Sequence, residues 1–262
     1  MVGDNGRATF FTGDDQQTLT RIETTDPTIG DRDLINTNSG NDVVIGGAGG
    51  DLIDAGTTNE QDIVIGDNGL AEFTDTGRLS RIATTDTDIG GDDDITVGDG
   101  DDVVLGGFGS DAIDVDRDTL ATIGNDVGDD VVLGDNGEVV FFTGDDNRIV
   151  TRIETTAPED GDRDLIFPAN GSDIVLGGAG GDLINAGLDD SRDVIVGDGG
   201  VANFTDDGRI RDIATNAPSI GGDDDITVGD GDDIVLGGIG QDAVDVDRST
   251  GALIQVTPVT ML

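Results

Sequence analysis

The chain has 262 residues, 44 of them glycine, with no Cys, His, Trp, Tyr or Lys, and its 13 Arg against 57 acidic residues leave a net charge of −44. These values exclude disulfides and thiolate or imidazole metal chemistry, and they exclude a helical core, since each glycine costs a helix about 1 kcal/mol relative to Ala. They also argue against a nucleic-acid partner, because the arginines are scattered through an anionic chain, and no apolar run is long enough to span a bilayer.

High charge with few aromatics is also a signature of disorder. Two features count against it. Aliphatic residues recur at fixed positions, and the acid is almost entirely one residue, 51 Asp against six Glu. Asp suits tight turns, where a short carboxylate tolerates unusual backbone angles and reaches a nearby cation. The surplus therefore reads as ligand rather than solvated coat. Carboxylates and carbonyls suit hard cations, and without them so much like charge opposes compaction.

In chain order, the first predicted element is a β-hairpin over 7–27, with strands near Ala8–Thr12 and Leu19–Thr25 and a turn at Gly13-Asp14-Asp15. Short blocks follow, each placing an Asp two residues before an aliphatic residue: Asp33/Ile35, Asp42/Val44, Asp51/Ile53 and Asp62/Val64. A second hairpin over 70–87 turns at Asp75-Thr76-Gly77. Blocks then resume with Asp93/Ile95, Asp102/Val104, Asp111/Ile113 and, after an insertion at 115–124, Asp130/Val132. A hairpin over 138–158, turning at Gly144-Asp145-Asp146, leads to Asp164/Ile166, Asp173/Val175, Asp182/Ile184 and Asp193/Ile195. The last hairpin, over 201–218, turns at Asp206-Asp207-Gly208 and precedes Asp224/Ile226, Asp233/Val235 and Asp242/Val244. Six of the eight Phe (Phe10, Phe11, Phe73, Phe141, Phe142 and Phe204) lie in the hairpins, where they are expected to pack them onto the body.

The order is an internal duplication with a period of 131 residues: GDNG at 3–6 returns at 134–137, and GGDDDITVGDGDD at 90–102 returns at 221–233. Residues 1–133 form a first unit (half-units about 3–65 and 66–133), and 134–262 a second (about 134–196 and 197–262), in one continuous solenoid. Val2 to Gly6 begins in mid-repeat, matching Leu133 to Gly137, so the chain is expected to be a segment of a larger protein.

The best-formed block occurs four times: GGAGGDLID at 46–54, GGFGSDAID at 106–114, GGAGGDLIN at 177–185 and GGIGQDAVD at 237–245. Its ligand candidates are Gly46, Gly47, Gly49 and Asp51; Gly106, Gly107, Gly109 and Asp111; Gly177, Gly178, Gly180 and Asp182; and Gly237, Gly238, Gly240 and Asp242. Glycine at these positions is expected to let carbonyls turn inward at angles other residues resist. The aliphatic residue marks a three-residue strand with one inward side chain, and the six residues before it form the turn. Two blocks close one pass of a flattened solenoid, and passes stack at roughly 4.8 Å. Turns two blocks apart then share an edge, so Asp33 should face Asp51, Asp42 should face Asp62, and Asp93 should face Asp111. Each pair, with turn carbonyls, offers the roughly six oxygens that Ca2+ takes at about 2.3–2.6 Å. Degenerate blocks such as PANGSDIVL at 168–176 keep only Gly and Asp and are open to a metal-free reading. The GD(N/G)G turns at Asp4, Asp67, Asp135 and Asp198 fit the pattern less well, because a hairpin follows where the strand should be.

Matching G-G-x-G-x-D-x-U-x, with U a large aliphatic residue, the chain resembles the RTX, or haemolysin-type calcium-binding, repeat region of secreted bacterial proteins. The resemblance covers about two thirds of the residues. It implies an all-β parallel β-roll or β-solenoid, here interrupted by four β-hairpin insertions, and several bound calcium ions. It also implies type I secretion, disorder in calcium-poor cytoplasm and folding outside the cell. The expected function is that of a calcium-binding structural segment of a secreted or cell-surface protein of adhesin or biofilm type. Its partners would be calcium and neighbouring repeats of a parent chain or copies of itself. The alternative is a self-assembling extracellular filament or surface-layer subunit built by end-to-end stacking. No enzyme is expected, since the catalytic relatives of such modules use His, Tyr or HExxH motifs and this chain has neither residue.

Overall fold

A computed structural model describes residues 1–13, 17–56, 59–124, 126–144 and 148–246, and every regular element among them is a β-strand. The expected hairpin-turn residues Asp14, Asp15, Asp145 and Asp146 and the stretch 247–262 lie outside the described residues. Between hairpins the chain passes alternately through two parallel sheets. The inner sheet has seven strands: Val43–Ile45, Ile63–Ile65, Val103–Gly107, Val131–Asp135, Ile174–Gly178, Val194–Asp198 and Ile234–Leu236. The outer sheet has eight: Leu34–Asn36, Leu52–Asp54, Asp94–Thr96, Ala112–Ile113, Leu165–Ile166, Leu183–Asn185, Asp225–Val228 and Ala243–Val246. The register repeats without slippage, Val44 pairing with Val64 and Val64 with Val104 in one sheet, Ile35 with Ile53 and Ile53 with Ile95 in the other. This all-β arrangement of stacked parallel strands is compatible with a β-roll or solenoid.

The central residue of each strand fills the space between the two sheets. Ile35, Ile53, Ile95, Ile113, Ile166, Ile184 and Ile226 from one side meet Val44, Val64, Val104, Val132, Val175, Ile195 and Val235 from the other, all buried. The flanking residues separate the sheets by chemistry. Outer strands such as Leu-Ile-Asn and Leu-Ile-Asp put polar atoms or an exposed Leu34 on their far side. Inner strands such as Ile63-Val64-Ile65 are apolar at every position, as a sheet buried on both faces requires.

What covers the second face of the inner sheet is the set of four hairpins, Gly6–Phe10/Leu19–Thr24, Gly69–Phe73/Leu79–Thr84, Gly137–Phe141/Val150–Thr155 and Gly200–Phe204/Ile210–Thr215. They do not project separately. Each pairs edge to edge with the next, Ile22 opposite Ala71, Ile82 opposite Val139 and Ile153 opposite Ala202, giving one eight-stranded antiparallel sheet. Its inward residues Ile22, Ala71, Ile82, Val139, Phe141, Ile153, Ala202 and Phe204 form a second core with Ile45, Ile65, Leu105, Leu133, Leu176 and Val196 of the inner sheet. The sequence reading of a thin, two-sheet body is thus extended to three layers. Phe141 and Phe204 are buried as expected and Phe73 packs against this core, whereas Phe10 stays exposed. The outer face of the hairpin sheet carries cross-strand ion pairs, Arg21–Glu72 and Arg81–Glu138 at 2.7 Å, and a pair within one strand, Arg152–Glu154.

The insertion after Ile113 forms a small hairpin, Val115–Asp116 with Ala121–Thr122. Val115 covers Ala112, Leu165 and Phe167 on the far face of the outer sheet.

Candidate metal-binding turns

Each parallel strand is preceded by an Asp, and stacking aligns these residues in two ladders along opposite edges. On the edge where inner strands lead to outer ones, every Asp main-chain N–H donates to the Oδ1 of the Asp one pass further on, at 2.6–3.3 Å. The order is Asp33, Asp51, Asp93, Asp111, Asp164, Asp182, Asp224 and Asp242. On the other edge Asp42, Asp62, Asp102, Asp130, Asp173, Asp193 and Asp233 do the same at 2.6–3.0 Å. Asp33 with Asp51, Asp42 with Asp62 and Asp93 with Asp111 are neighbours in these ladders, and Asp173 of the degenerate block at 168–176 takes its place with the rest.

From Asp51 and Asp62 onward Oδ1 therefore has a donor, while most Oδ2 atoms have none. The Oδ2 atoms of Asp33, Asp42, Asp51, Asp93, Asp102, Asp111, Asp130, Asp164, Asp173, Asp182, Asp224 and Asp233 are buried with no hydrogen-bond partner. Asp62, Asp193 and Asp242 join the ladders through Oδ1 but are not in that set.

The glycine-rich turns explain how so many carboxylates fit. In the turn at 106–111, a Cβ on Gly106 would collide with the Gly134 carbonyl and with Asp111 Oδ2. Gly107 and Gly109 sit in the left-handed region, at φ of 122° and 127°. The equivalent turns at 46–51 and 177–182 share both features, and the turn at 237–242 shares the left-handed glycines and the clash with its Asp, Asp242. Only the second and fourth glycines of the motif serve unusual backbone angles; the first is there because the Asp carboxylate occupies the room a side chain would need.

Burial drives the carboxyl pKa values up, and neighbouring carboxylates add to it. Asp102 and Asp173 are pushed to about 8, Asp182 and Asp224 to about 8, Asp51, Asp111 and Asp193 to about 7, and Asp62 to about 6. Asp93, Asp130 and Asp164 are raised well above the ordinary value, with the charges of Asp111, Asp126 and Asp135 respectively next in importance after burial.

Asp67, Asp135 and Asp198 belong to the first edge as well, which the sequence reading left open because a hairpin follows each. Asp67 accepts from Gly91 N–H at 3.0 Å and from Phe108 N–H at 2.5 Å, tying the hairpin root to the turn of the next pass. Asp198 makes the equivalent bonds to Gly222 and Ile239, Asp135 accepts from Ala179, and Asp4 accepts from Ala48 at 2.7 Å. Burial and the charge of Asp111 push Asp67 to about 9. The signal was the Gly-Asp that closes the inner strand at each hairpin root.

Among the described residues no group of three or more acidic side chains converges so as to hold a metal by side chains alone. A cation in these turns would draw the rest of its shell from main-chain carbonyls, which the glycines bring close to Asp Oδ2: the Gly66 carbonyl and Asp51 Oδ2 both crowd Gly46, and the Gly106 carbonyl and Asp93 Oδ2 both crowd Gly66. Oxygen-only, carboxylate-rich donors of this kind fit a hard divalent cation. Among the described residues no helix is long and apolar enough to cross a membrane. Comparison with protein-family models, curated proteins and solved structures returns no match.

Proposed function

We propose that the chain is a calcium-binding structural segment of a large secreted or cell-surface protein, an RTX-type β-roll that folds when calcium fills its turns. The observation that supports it most is the pair of Asp ladders, in which one carboxylate oxygen after another is buried without a donor. A buried unpaired carboxylate is costly, and twelve of them along two edges need an external positive charge. Asp33 to Asp242 on one edge and Asp42 to Asp233 on the other would hold the ions, with turn carbonyls completing the shells. Calcium supplies charge compensation alone. The chain's own residues do the rest: the ladder N–H groups fix each carboxylate, the glycines admit it, and the isoleucine and valine stacks set the spacing between passes. In such a scaffold role its partners would be neighbouring repeats of a parent chain or further copies of itself.

The test is far-ultraviolet circular dichroism of the metal-free chain titrated with calcium, with magnesium as control. Calcium should produce the strand spectrum cooperatively, and magnesium, which prefers a small octahedral shell, should do so weakly. A chain equally folded in excess chelator at neutral pH would overturn the proposal.

A further inference from the structure

The duplication places a junction between two equal units inside the chain, and that junction shows how a unit's first face is covered. Ile82 lies opposite Val139 in the hairpin sheet, and Ile113 lies opposite Ile166 in the outer sheet. Phe141 is 4% exposed and Leu165 5%, the latter beneath Val115 of the small hairpin. One period of 131 residues earlier, Phe10 and Leu34 hold the same positions in the first unit, yet they are 48% and 77% exposed. All of Gly6–Phe10 is exposed, whereas Gly137, Val139 and Phe141 of its counterpart are buried. Among the described residues, Gly6–Phe10 and Ile210–Thr215 are the outermost strands of the hairpin sheet. Ile210–Thr215 is the counterpart of Leu79–Thr84, the strand that covers Gly137–Phe141. Its Ile213 is only partly buried, where Ile82 is fully buried.

We propose that the exposed face of the first unit, Gly6–Phe10 with Ile29 and Leu34, binds the Ile210–Thr215 face of a second copy of this chain, in the register of the internal junction. Ile213 of one copy then lies opposite Ala8 of the other. Two matched differences between the repeats favour this occupant. At the internal junction Arg81 pairs with Glu138 at 2.7 Å; the corresponding residues between copies are Asp212 and Arg7, so the pair returns with both signs reversed. Asp212 is exposed, and Arg7, although it meets Glu23, keeps 65% of its side chain exposed. Thr87 Oγ1 donates to Asp160 Oδ2 at 3.1 Å; the corresponding residues are Pro218 and Ile29, both exposed, so a polar contact is replaced on both sides by an apolar one. Solvent places no demand that a change on one face be matched on the other, whereas a contact between the two faces does. Joining unlike faces in this way builds an open row of copies rather than a closed dimer. The inference rests on the structural-segment reading and names its partner and face; calcium enters only as what holds the chain folded.

Sedimentation velocity of the calcium-loaded full chain should show association that grows with concentration. Arg7→Asp and Asp212→Arg each set like charges across the contact, and each alone should weaken association about tenfold or more. An equal mixture of the two variants restores opposite charges between unlike chains and should associate as the wild type does. Phe10→Ser, at a side chain exposed in the single chain, should also weaken association and serves should a charge variant fail to fold, as read by circular dichroism. Wild-type chains that stay monomeric at every concentration, association that no variant weakens, or a mixture that stays dissociated would each overturn the interface and leave the calcium reading standing. A chain equally folded in chelator overturns the calcium reading, and the same comparison of variants still decides the interface.

Discussion

Protons should be able to stand in for the proposed cations, and the pH at which they do so follows from the ladders. Asp102 and Asp173 rise from 3.8 to about 8, chiefly through burial and then through the carboxylates of Asp62 and Asp193 respectively. At about 1.4 kcal/mol per pH unit, keeping one such group ionised in the folded chain costs about 6 kcal/mol relative to the unfolded one. Two of them match the total stability of an ordinary domain, about 5–15 kcal/mol. Asp182 and Asp224 stand at about 8 as well, and Asp93, Asp130 and Asp164 are raised well above the ordinary value. The hydrophobic stacks cannot carry that load, so the metal-free chain should be unfolded above the folded-state values.

The sign is opposite to that of a salt-bridged carboxylate. With folded values raised, the folded chain holds more protons than the unfolded one between about 3.8 and 8, so stability falls as pH rises through this window and is greatest at its acid end. Circular dichroism of metal-free protein should therefore show little strand signal at about pH 8 and a growing one below about pH 7. Calcium added at the higher pH should restore the same spectrum without acid. Its midpoint concentration should climb as the pH drops, because each ion displaces protons from the ladders. Identical strand spectra for the metal-free protein at both ends of the window would refute the reasoning.

The remaining predictions concern packing. Gly106→Ala would press a methyl group against the Gly134 carbonyl and Asp111 Oδ2, and should cost about 1–3 kcal/mol in calcium, read as a lowered melting temperature. Ile82, fully buried between the hairpin sheet and the inner sheet, should cost about 2–5 kcal/mol when changed to Ala. Hydrogen exchange should then speed up first in Gly69–Phe73 and Leu79–Thr84, with the outer sheet the last to respond.

The repeats made part of this architecture readable from the residues alone. The 18-residue separation of Asp33 from Asp51 placed them in adjacent passes, and the glycine turns marked the four hairpins. The joining of hairpins into one sheet was not read, because it depends on pairings such as Arg21 with Glu72, 51 residues apart, and no local propensity encodes them. The signs were present all the same. Ile22 lies between Arg21 and Glu23, an alternation that demands one buried face, and strands like Ile63-Val64-Ile65 left a second apolar face to cover.

The same geometry divides the acids. Four of the six Glu, at 23, 72, 138 and 154, stand on the hairpin sheet, where a longer side chain spans to arginines on the same and neighbouring strands. The ladders use Asp throughout, because the carboxylate must accept an N–H from the adjacent pass while its other oxygen lies against a glycine of the turn. The excess of Asp over Glu is thus a consequence of how closely the turns stack, with each pass along an edge adding one more carboxylate to the ladder.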